Sequence, residues 1–297
     1  MPSPELQMII DFARATGGLS SEMPVEEQRA QYRLAVSAYP LASDVMVEKV
    51  DASGVPSEWV WFPGADVTKA VLYLHGGGYV IGGLDTHREL ASRLARACRS
   101  RVLLVDYRLA PEHPFPAALE DATAAYRWLL HQGINSSSIV VAGDSAGGGL
   151  VVSTLVALRD SGAPLPTGAV CLSPWADLTN SGASQVTRAP DDPIVSKASL
   201  DKMASLYLDG ADPKDPLASP LFADLSELPP LLVQVGTAEV LYDDAERLCD
   251  AARGYGVEAT LHPFDGCIHV WQQLAATSPE AEAAVAEIGE FFREQTA

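Results

Sequence analysis

The stretch Ile139-Val-Val-Ala-Gly143-Asp-Ser145-Ala-Gly147-Gly-Gly-Leu150 decides the fold class of this 297-residue chain. Its first four residues form a short apolar run suited to a buried strand, and the apolar stretch from Ala146 to Leu158 reads as a buried helix. Between them, Gly143-Asp-Ser-Ala-Gly147 matches G-x-S-x-G in the strand, turn and helix setting that gives the pattern meaning. A turn this sharp holds its serine in a strained backbone conformation, and the flanking glycines let neighbouring elements approach without a Cβ clash. Ser145 is therefore predicted to stand above a sheet, with the free N–H groups and positive end of the following helix facing any anion formed there. Five-residue patterns recur by accident, so the flanks carry the inference rather than the pattern.

Outward from this turn, short β-rich runs alternate with helical patterns from about residue 46, which predicts an α/β fold with a mostly parallel sheet covered on both faces. Glu58 to Phe62 alternates like a half-exposed edge strand. Ala70–Leu74, Arg101–Val105, Ile139–Ala142, Gly168–Leu172, Leu231–Val235 and Ala259–Phe264 are compact apolar runs suited to central strands. Helices are expected over Arg88–Cys98, Pro116–His131, Ala146–Arg159, Asp243–Tyr255 and Ser278–Glu294. Two segments stand outside the alternation. Residues 1–45 read as two short helices, the first capped by Ser3 with Pro4 at its start and stopped at Gly17-Gly18, the second running from Pro24 toward Tyr39. Residues 178–220 are rich in Pro, Asp and Ser but hold one amphipathic helix with Leu200, Met203, Leu206 and Tyr207 on one face. Inserted between two strands, this segment suggests a lid over the site, leaving residues 46–297 as the main domain.

Composition excludes several function classes. Thirty-nine acidic against 20 basic residues give a formal charge of −19, which repels phosphate backbones and anionic lipid surfaces, so neither nucleic acid nor membrane is an expected partner. No uncharged run reaches the length of a membrane span, and the first residues lack the basic and apolar regions of a signal peptide, so a cytoplasmic location is expected. Cys98, Cys171, Cys249 and Cys267 are far apart with no C-x-x-C pair, arguing against a zinc site or a disulfide framework.

A triple glycine, His75-Gly-Gly-Gly78, follows the strand Ala70–Leu74, and its entropic cost suggests that bare N–H groups must point at something. In acyl transfer that something is an oxyanion, with the N–H of Ala146 as a further donor. A nucleophilic serine needs a base, and the base needs a carboxylate. Among six histidines, His75 belongs to the glycine motif, His87 and His131 lie on or near helices, His113 in a Pro-rich turn and His262 in a strand. His269 follows the last strand in a loop and is the favoured base. The loop after Leu231–Val235 offers Glu239, Asp243 and Asp244. Glu239 comes first and is preferred as the acid, with Asp243 as the alternative, since a carboxylate in a first helical turn is often there for capping.

These motifs, with Asp106-Tyr-Arg-Leu-Ala-Pro-Glu112 between them, resemble the hormone-sensitive-lipase group of bacterial carboxylesterases over nearly the whole chain. The resemblance implies an α/β-hydrolase fold with an eight-stranded sheet and a helical cap made of residues 1–45 and 178–220. It further implies Ser145 as nucleophile, His269 as base and Gly77, Gly78 and Ala146 as oxyanion donors. The family's acid is most often Asp in a D-P-L context, where this chain has Glu239-Val-Leu241. Tyr79, Met203, Leu206 and Tyr207 are expected to line the pocket. Leu172-Ser-Pro-Trp-Ala-Asp177 is expected to serve structural hydrogen bonding, and Asp106, Arg108 and Glu112 to form an internal ion-pair network. The implied activity is hydrolysis of short- to medium-chain esters with no metal or organic cofactor, by a protein that is often a homodimer. An amidase, a lactonase or a sugar-ester deacetylase would use the same triad. A non-catalytic receptor on this fold, as plant gibberellin receptors are, would be marked by loss of the histidine.

Overall fold

A single eight-stranded sheet runs through the computed structural model, which describes residues 2–17, 22–36 and 39–297. Its strands are β1 (Met46–Asp51), β2 (Pro56–Trp61), β3 (Asp66–Leu74), β4 (Ser100–Val105), β5 (Ile139–Asp144), β6 (Gly168–Leu172), β7 (Leu231–Gly236) and β8 (Ala259–Phe264). They lie in the order β1-β2-β4-β3-β5-β6-β7-β8. The β1–β2 and β2–β4 pairs are antiparallel and all the others parallel.

The helices are α1 (Pro4–Thr16), α2 (Val25–Val36), α3 (Leu84–Cys98), α4 (Ala117–His131), α5 (Ala146–Asp160), α6 (Ser184–Thr187), α7 (Lys197–Leu208), α8 (Tyr242–Gly254), α9 (Trp271–Leu274) and α10 (Pro279–Gln295). Side chains alternate along β3: Leu72 and Leu74 join the core shared with α4, α5 and α8, while Val71 and Tyr73 join the core under α3 and α10. Both faces are therefore buried, which is why the central strands read as continuous apolar runs. Truncating a side chain such as Leu72 to alanine in a core packed on both sides costs about 2–5 kcal/mol.

Two strand expectations need correction. The run at Glu58 is not an edge: β2 lies between β1 and β4 with Ser57 to Val60 buried. A buried carboxylate is tolerated there because Arg88 of α3 holds Glu58 with its Nε and Nη2 at 2.6 and 2.9 Å. The true edges are β1, which presents mostly exposed residues and so lacks the apolar run that marks a strand in sequence, and β8. The run Ala259–Phe264 of β8, expected in the centre, pairs on one side only, with β7, and leaves Thr260, His262 and Pro263 exposed.

The first helix begins as its sequence dictates, with Ser3 Oγ accepting the amide of Leu6 and Pro4 at its first position; of the stop expected at Gly17-Gly18, Gly18 lies outside the described residues. Ser3 also bonds Glu280 of α10 through its amide and hydroxyl at 2.6 and 2.7 Å, and Leu6 and Ile10 pack with Ile268 and Trp271. The described part of the second helix runs over Val25–Val36, and the next two positions before Tyr39 lie outside the described residues. It is tethered by Arg29, which reaches both oxygens of Glu112 at 2.8 Å and the carbonyls of Val80 and Ala110.

Asp106, Arg108 and Glu112 consequently do not form one network. Glu112 turns out to α2, whereas Arg108 turns back to Glu120 and Asp121 of α4, because each finds a nearer opposite charge outside the loop. Among the described residues, no helix is long and apolar enough to cross a membrane.

Candidate active site

Ser145 sits where β5 ends and α5 begins, at φ 53° and ψ −121°. Such a conformation is strained for a residue with a Cβ, and the surrounding chain holds it in place. The Ser145 amide donates to Leu172 O at 2.8 Å, and its carbonyl accepts from the amides of Trp175 and Gly149. Close approach explains Gly147, where a Cβ would run into the carbonyls of Leu74 and His75.

The structure brings Ser145, His269 and Glu239 together although 124 and 30 positions of sequence separate the pairs. Ser145 Oγ lies 3.0 Å from His269 Nε2, and His269 Nδ1 lies 2.6 Å from Glu239 Oε2. All three are buried. With Nδ1–H donating to the carboxylate, Nε2 is left free to accept from the serine hydroxyl. The other carboxylate oxygen, Oε1, accepts from Gly236 N at 2.6 Å and Ser173 Oγ at 2.8 Å, so Glu239 is held from both sides.

Burial would lower the pKa of His269. The hydrogen bond and charge of Glu239, with the charges of Asp192 and Asp144 behind them, outweigh it and hold the imidazole above its ordinary value.

Asp243 and Asp244 lie elsewhere. Asp243 accepts from Ser184 N at 3.0 Å and receives no bond from His269. Asp244 accepts from the amides of Ala176 and Asp177, both at 2.9 Å. Of the remaining histidines, His75 and His87 are buried beneath the glycine turn, and His262 pairs with Glu287 at 2.7 Å.

The turn after β3 carries Gly77 at φ 117° and Gly78 at φ 60°, and both line the cavity that holds Ser145. The Gly77 carbonyl accepts from Val80 and Ile81, and among the described residues the amides of Gly77, Gly78 and Ala146 find no acceptor in the chain. Unpartnered N–H groups beside a nucleophilic oxygen are what an oxyanion site requires.

The cavity measures about 520 Å³. It is walled by Ile9 and Phe12 of α1, Leu34 of α2, Leu200 and Met203 of α7, and Leu274. Of the expected pocket residues only Met203 lines it, and Tyr79, Leu206 and Tyr207 do not. Tyr79 and Tyr207 stack on each other instead, with ring centroids 3.8 Å apart and planes 7° apart, and Phe115 meets Tyr207 edge-on. Mutual stacking buries both rings in the core, and Leu206 packs against that same core. Among the described residues, no cluster of three His, Cys, Asp or Glu side chains is placed to hold a metal ion.

Three residues around the site have individual roles that sequence reasoning did not assign. Ser173 bonds Glu239. Asp192 accepts Val240 N at 2.9 Å with one oxygen and the amides of Ile194 and Val195, also at 2.9 Å, with the other, tying the 178–220 segment to the acid loop. Asp144 accepts Gly76 N at 2.9 Å. Asp144 carried a signal through its place inside the serine motif, and Ser173 through the segment Leu172–Asp177, expected to serve structural hydrogen bonding; Asp192 carried none.

Known proteins resemble this chain in sequence and fold. The model of a family described as the alpha/beta hydrolase fold matches residues 71–273. An acetyl-hydrolase of Streptomyces hygroscopicus is 44% identical over 296 residues, covering 100% of this chain and 98% of that protein. A solved esterase from the bacterial hormone-sensitive lipase family superposes with a TM-score of 0.97 at 50% identity over 100% of both chains. The esterase EstE5, in a crystal soaked with p-nitrophenyl butyrate, superposes with a TM-score of 0.95 at 47% identity over 99% of both chains. Sequence, fold and relatives thus converge: the chain belongs to the α/β-hydrolase family and, within it, to the hormone-sensitive-lipase-like bacterial carboxylesterases, enzymes that hydrolyse carboxylic esters.

Proposed function

We propose that this esterase works through an acyl-serine intermediate formed on Ser145, with His269 as the general base and Glu239 as its carboxylate partner. The reading rests on one observation, the continuous chain of hydrogen bonds from Ser145 Oγ through His269 to Glu239 at 3.0 and 2.6 Å inside a cavity. Ser145 attacks the ester carbonyl as His269 Nε2 takes its proton, and Glu239 offsets the charge of the resulting imidazolium. The amides of Gly77, Gly78 and Ala146 receive the negative charge of the tetrahedral intermediate, an interaction worth about 3 kcal/mol per donor. His269 then returns the proton to the departing alcohol, and water repeats the sequence to release the acid.

Residues 1–45 and 178–220 act in this reading as the cap over Ser145. Their apolar side chains form much of the wall, and among the described residues no lysine or arginine lines it, which favours neutral esters over anionic ones. A volume of about 520 Å³ equals roughly 17 waters at about 30 Å³ each, room for a short to medium acyl chain and a small alcohol. The p-nitrophenyl butyrate used with EstE5 is an ester of this class.

A panel of p-nitrophenyl esters from acetate to laurate, with matched anilides, tests the reading. Hydrolysis of the short and medium esters, weak action on anilides and no turnover by Ser145→Ala are expected. Equal activity on anilides, or turnover by a folded Ser145→Ala, would overturn it.

A further inference from the structure

Asp144 immediately precedes Ser145, and its carboxylate lies in a buried cluster with His87, Thr86 and Tyr73, closed above by Tyr32 and Gln273. The hydrolytic steps use none of these groups. A lone negative charge here would also work against them. Asp144 Oδ1 takes the Gly76 amide at 2.9 Å, next to the two glycines whose amides face the oxyanion, and a carboxylate so close repels that developing charge.

Counting protons around His87 shows how the conflict is resolved. The Thr86 carbonyl only accepts, so Gln273 presents Nε2 to it at 2.8 Å and leaves Oε1 to accept from the Tyr32 hydroxyl, also at 2.8 Å. The one proton of Tyr32 is spent there. Toward His87 Nε2, 3.4 Å away, Tyr32 can only accept, and Asp144 Oδ2 at 3.4 Å from the same nitrogen is an acceptor as well. On the other side, Thr86 Oγ1 gives its proton to Gly83 O at 2.9 Å, so it too accepts from His87 Nδ1 at 2.8 Å. Every neighbour of both ring nitrogens is an acceptor.

We infer that His87 is a buried imidazolium paired with Asp144, and that the pair is a positioning device which cancels the carboxylate beside the oxyanion turn and fastens that turn to helix α2 through Tyr32. The inference rests on the reading of Gly77 and Gly78 as oxyanion donors. The other titratable groups facing His87 agree with it. Burial first, and then the charge of His87, push His75 down to about 3, so that ring is neutral 5.3 Å away. Burial raises Tyr32 and Tyr73, which stay neutral. Burial would also raise Asp144, but the charge and hydrogen bond of His87, helped by Tyr73, hold it below the ordinary carboxylate range.

Two measurements on the full chain test the pair. In the ¹⁵N-labelled protein at pH 7.5, NMR detection of ring nitrogens should find a directly bonded hydrogen on both nitrogens of His87, and a single ring proton would overturn the inference without need of any variant. Kinetics of His87→Gln, Asp144→Asn and the double variant on p-nitrophenyl butyrate supply the second. Each single substitution should lower kcat by about tenfold or more while KM stays within about twofold. The double variant, with both charges gone, should lose less than the product of the two single losses. Losses that simply multiply, or that fall on KM, would contradict the pairing. Labelling of Ser145 by a fluorophosphonate separates the two levels: a labelled Ser145 with a singly protonated His87 removes the ion pair and leaves the hydrolytic reading intact.

Discussion

Ser173 and Glu239 are hydrogen-bonded partners, the serine hydroxyl donating to Oε1 at 2.8 Å while Gly236 N donates to the same oxygen at 2.6 Å. Ser173 also accepts the amide of Val270, the residue after His269, at 3.2 Å. One hydroxyl thus joins the loop of the acid to the loop of the base. The longer carboxylate side chain carries an extra rotatable bond relative to aspartate, and these two donors fix it so that Oε2 alone faces the imidazole.

Removing that hydroxyl should therefore be felt in turnover. Ser173→Ala is expected to lower kcat by about five- to tenfold, the equivalent of one hydrogen bond of about 1 kcal/mol, with the melting temperature changed only slightly. Steady-state kinetics beside a thermal melt decide it, and an unchanged kcat would mean that Gly236 alone suffices.

Glu239→Gln and Asp243→Asn separate the two acids. The amide at 239 keeps the shape but loses the charge that favours imidazolium and fixes its tautomer, and the fall in kcat should be on the order of 10⁴, as for the corresponding change in serine proteases. Asp243 holds Ser184, so Asp243→Asn should leave kcat nearly unchanged and cost at most about 1 kcal/mol of stability. A larger kinetic loss at 243 than at 239 would reverse the assignment.

The pH profile carries its own sign. His269 must be neutral to act as base, so kcat/KM falls as pH drops through its pKa, and Glu239 holds that value above the ordinary 6.5. The acidic limb of the wild type should lie above pH 6.5, and in Glu239→Gln it should move to lower pH as the residual activity falls. A limb that stays in place after the substitution would show that another group controls it.

Asp244 offers a test of stability remote from catalysis. Burial, then the charge of Asp177, push its carboxyl up to about 8, against about 3.9 for an unfolded Asp. Folding therefore takes up a proton between these values. The contribution to stability is complete below pH 4 and is lost as pH rises toward 8, with a slope approaching about 1.4 kcal/mol per pH unit. Asp244→Asn removes the titration, so its urea midpoint should gain on the wild type from pH 5 to pH 8. A constant difference between the two would place the Asp244 carboxyl in its ionised form throughout.

The sequence made some of this architecture legible and hid the rest for identifiable reasons. The strand at Ile139, the turn at Ser145 and the helix after it announce themselves because two glycines and an apolar run leave few other conformations. Loop order, with the helix-start position of Asp243 and Asp244, singled out Glu239, the first carboxylate after β7, and Glu239 lies 2.6 Å from His269. The walls of the cavity were not legible. Helical periodicity places Leu200, Met203, Leu206 and Tyr207 on one stripe, yet it cannot say that the upper part of the stripe looks into open space while Tyr207 stacks on Tyr79. Part of the wall comes instead from Ile9, Phe12 and Leu34; the resemblance placed their helices in a cap, but nothing in their pattern told which side chains face the cavity. The buried Glu58 likewise misled, since nothing local to β2 reveals Arg88, thirty positions on.

Covalent capture of the nucleophile tests the central claim most directly. The intact protein is treated with a fluorophosphonate at pH 8, digested, and the modified peptide sequenced by mass spectrometry. The account predicts one stoichiometric adduct on Ser145, formed in step with loss of esterase activity and greatly slowed in His269→Ala. An adduct on any other residue, or full inactivation with Ser145 unmodified, would contradict it.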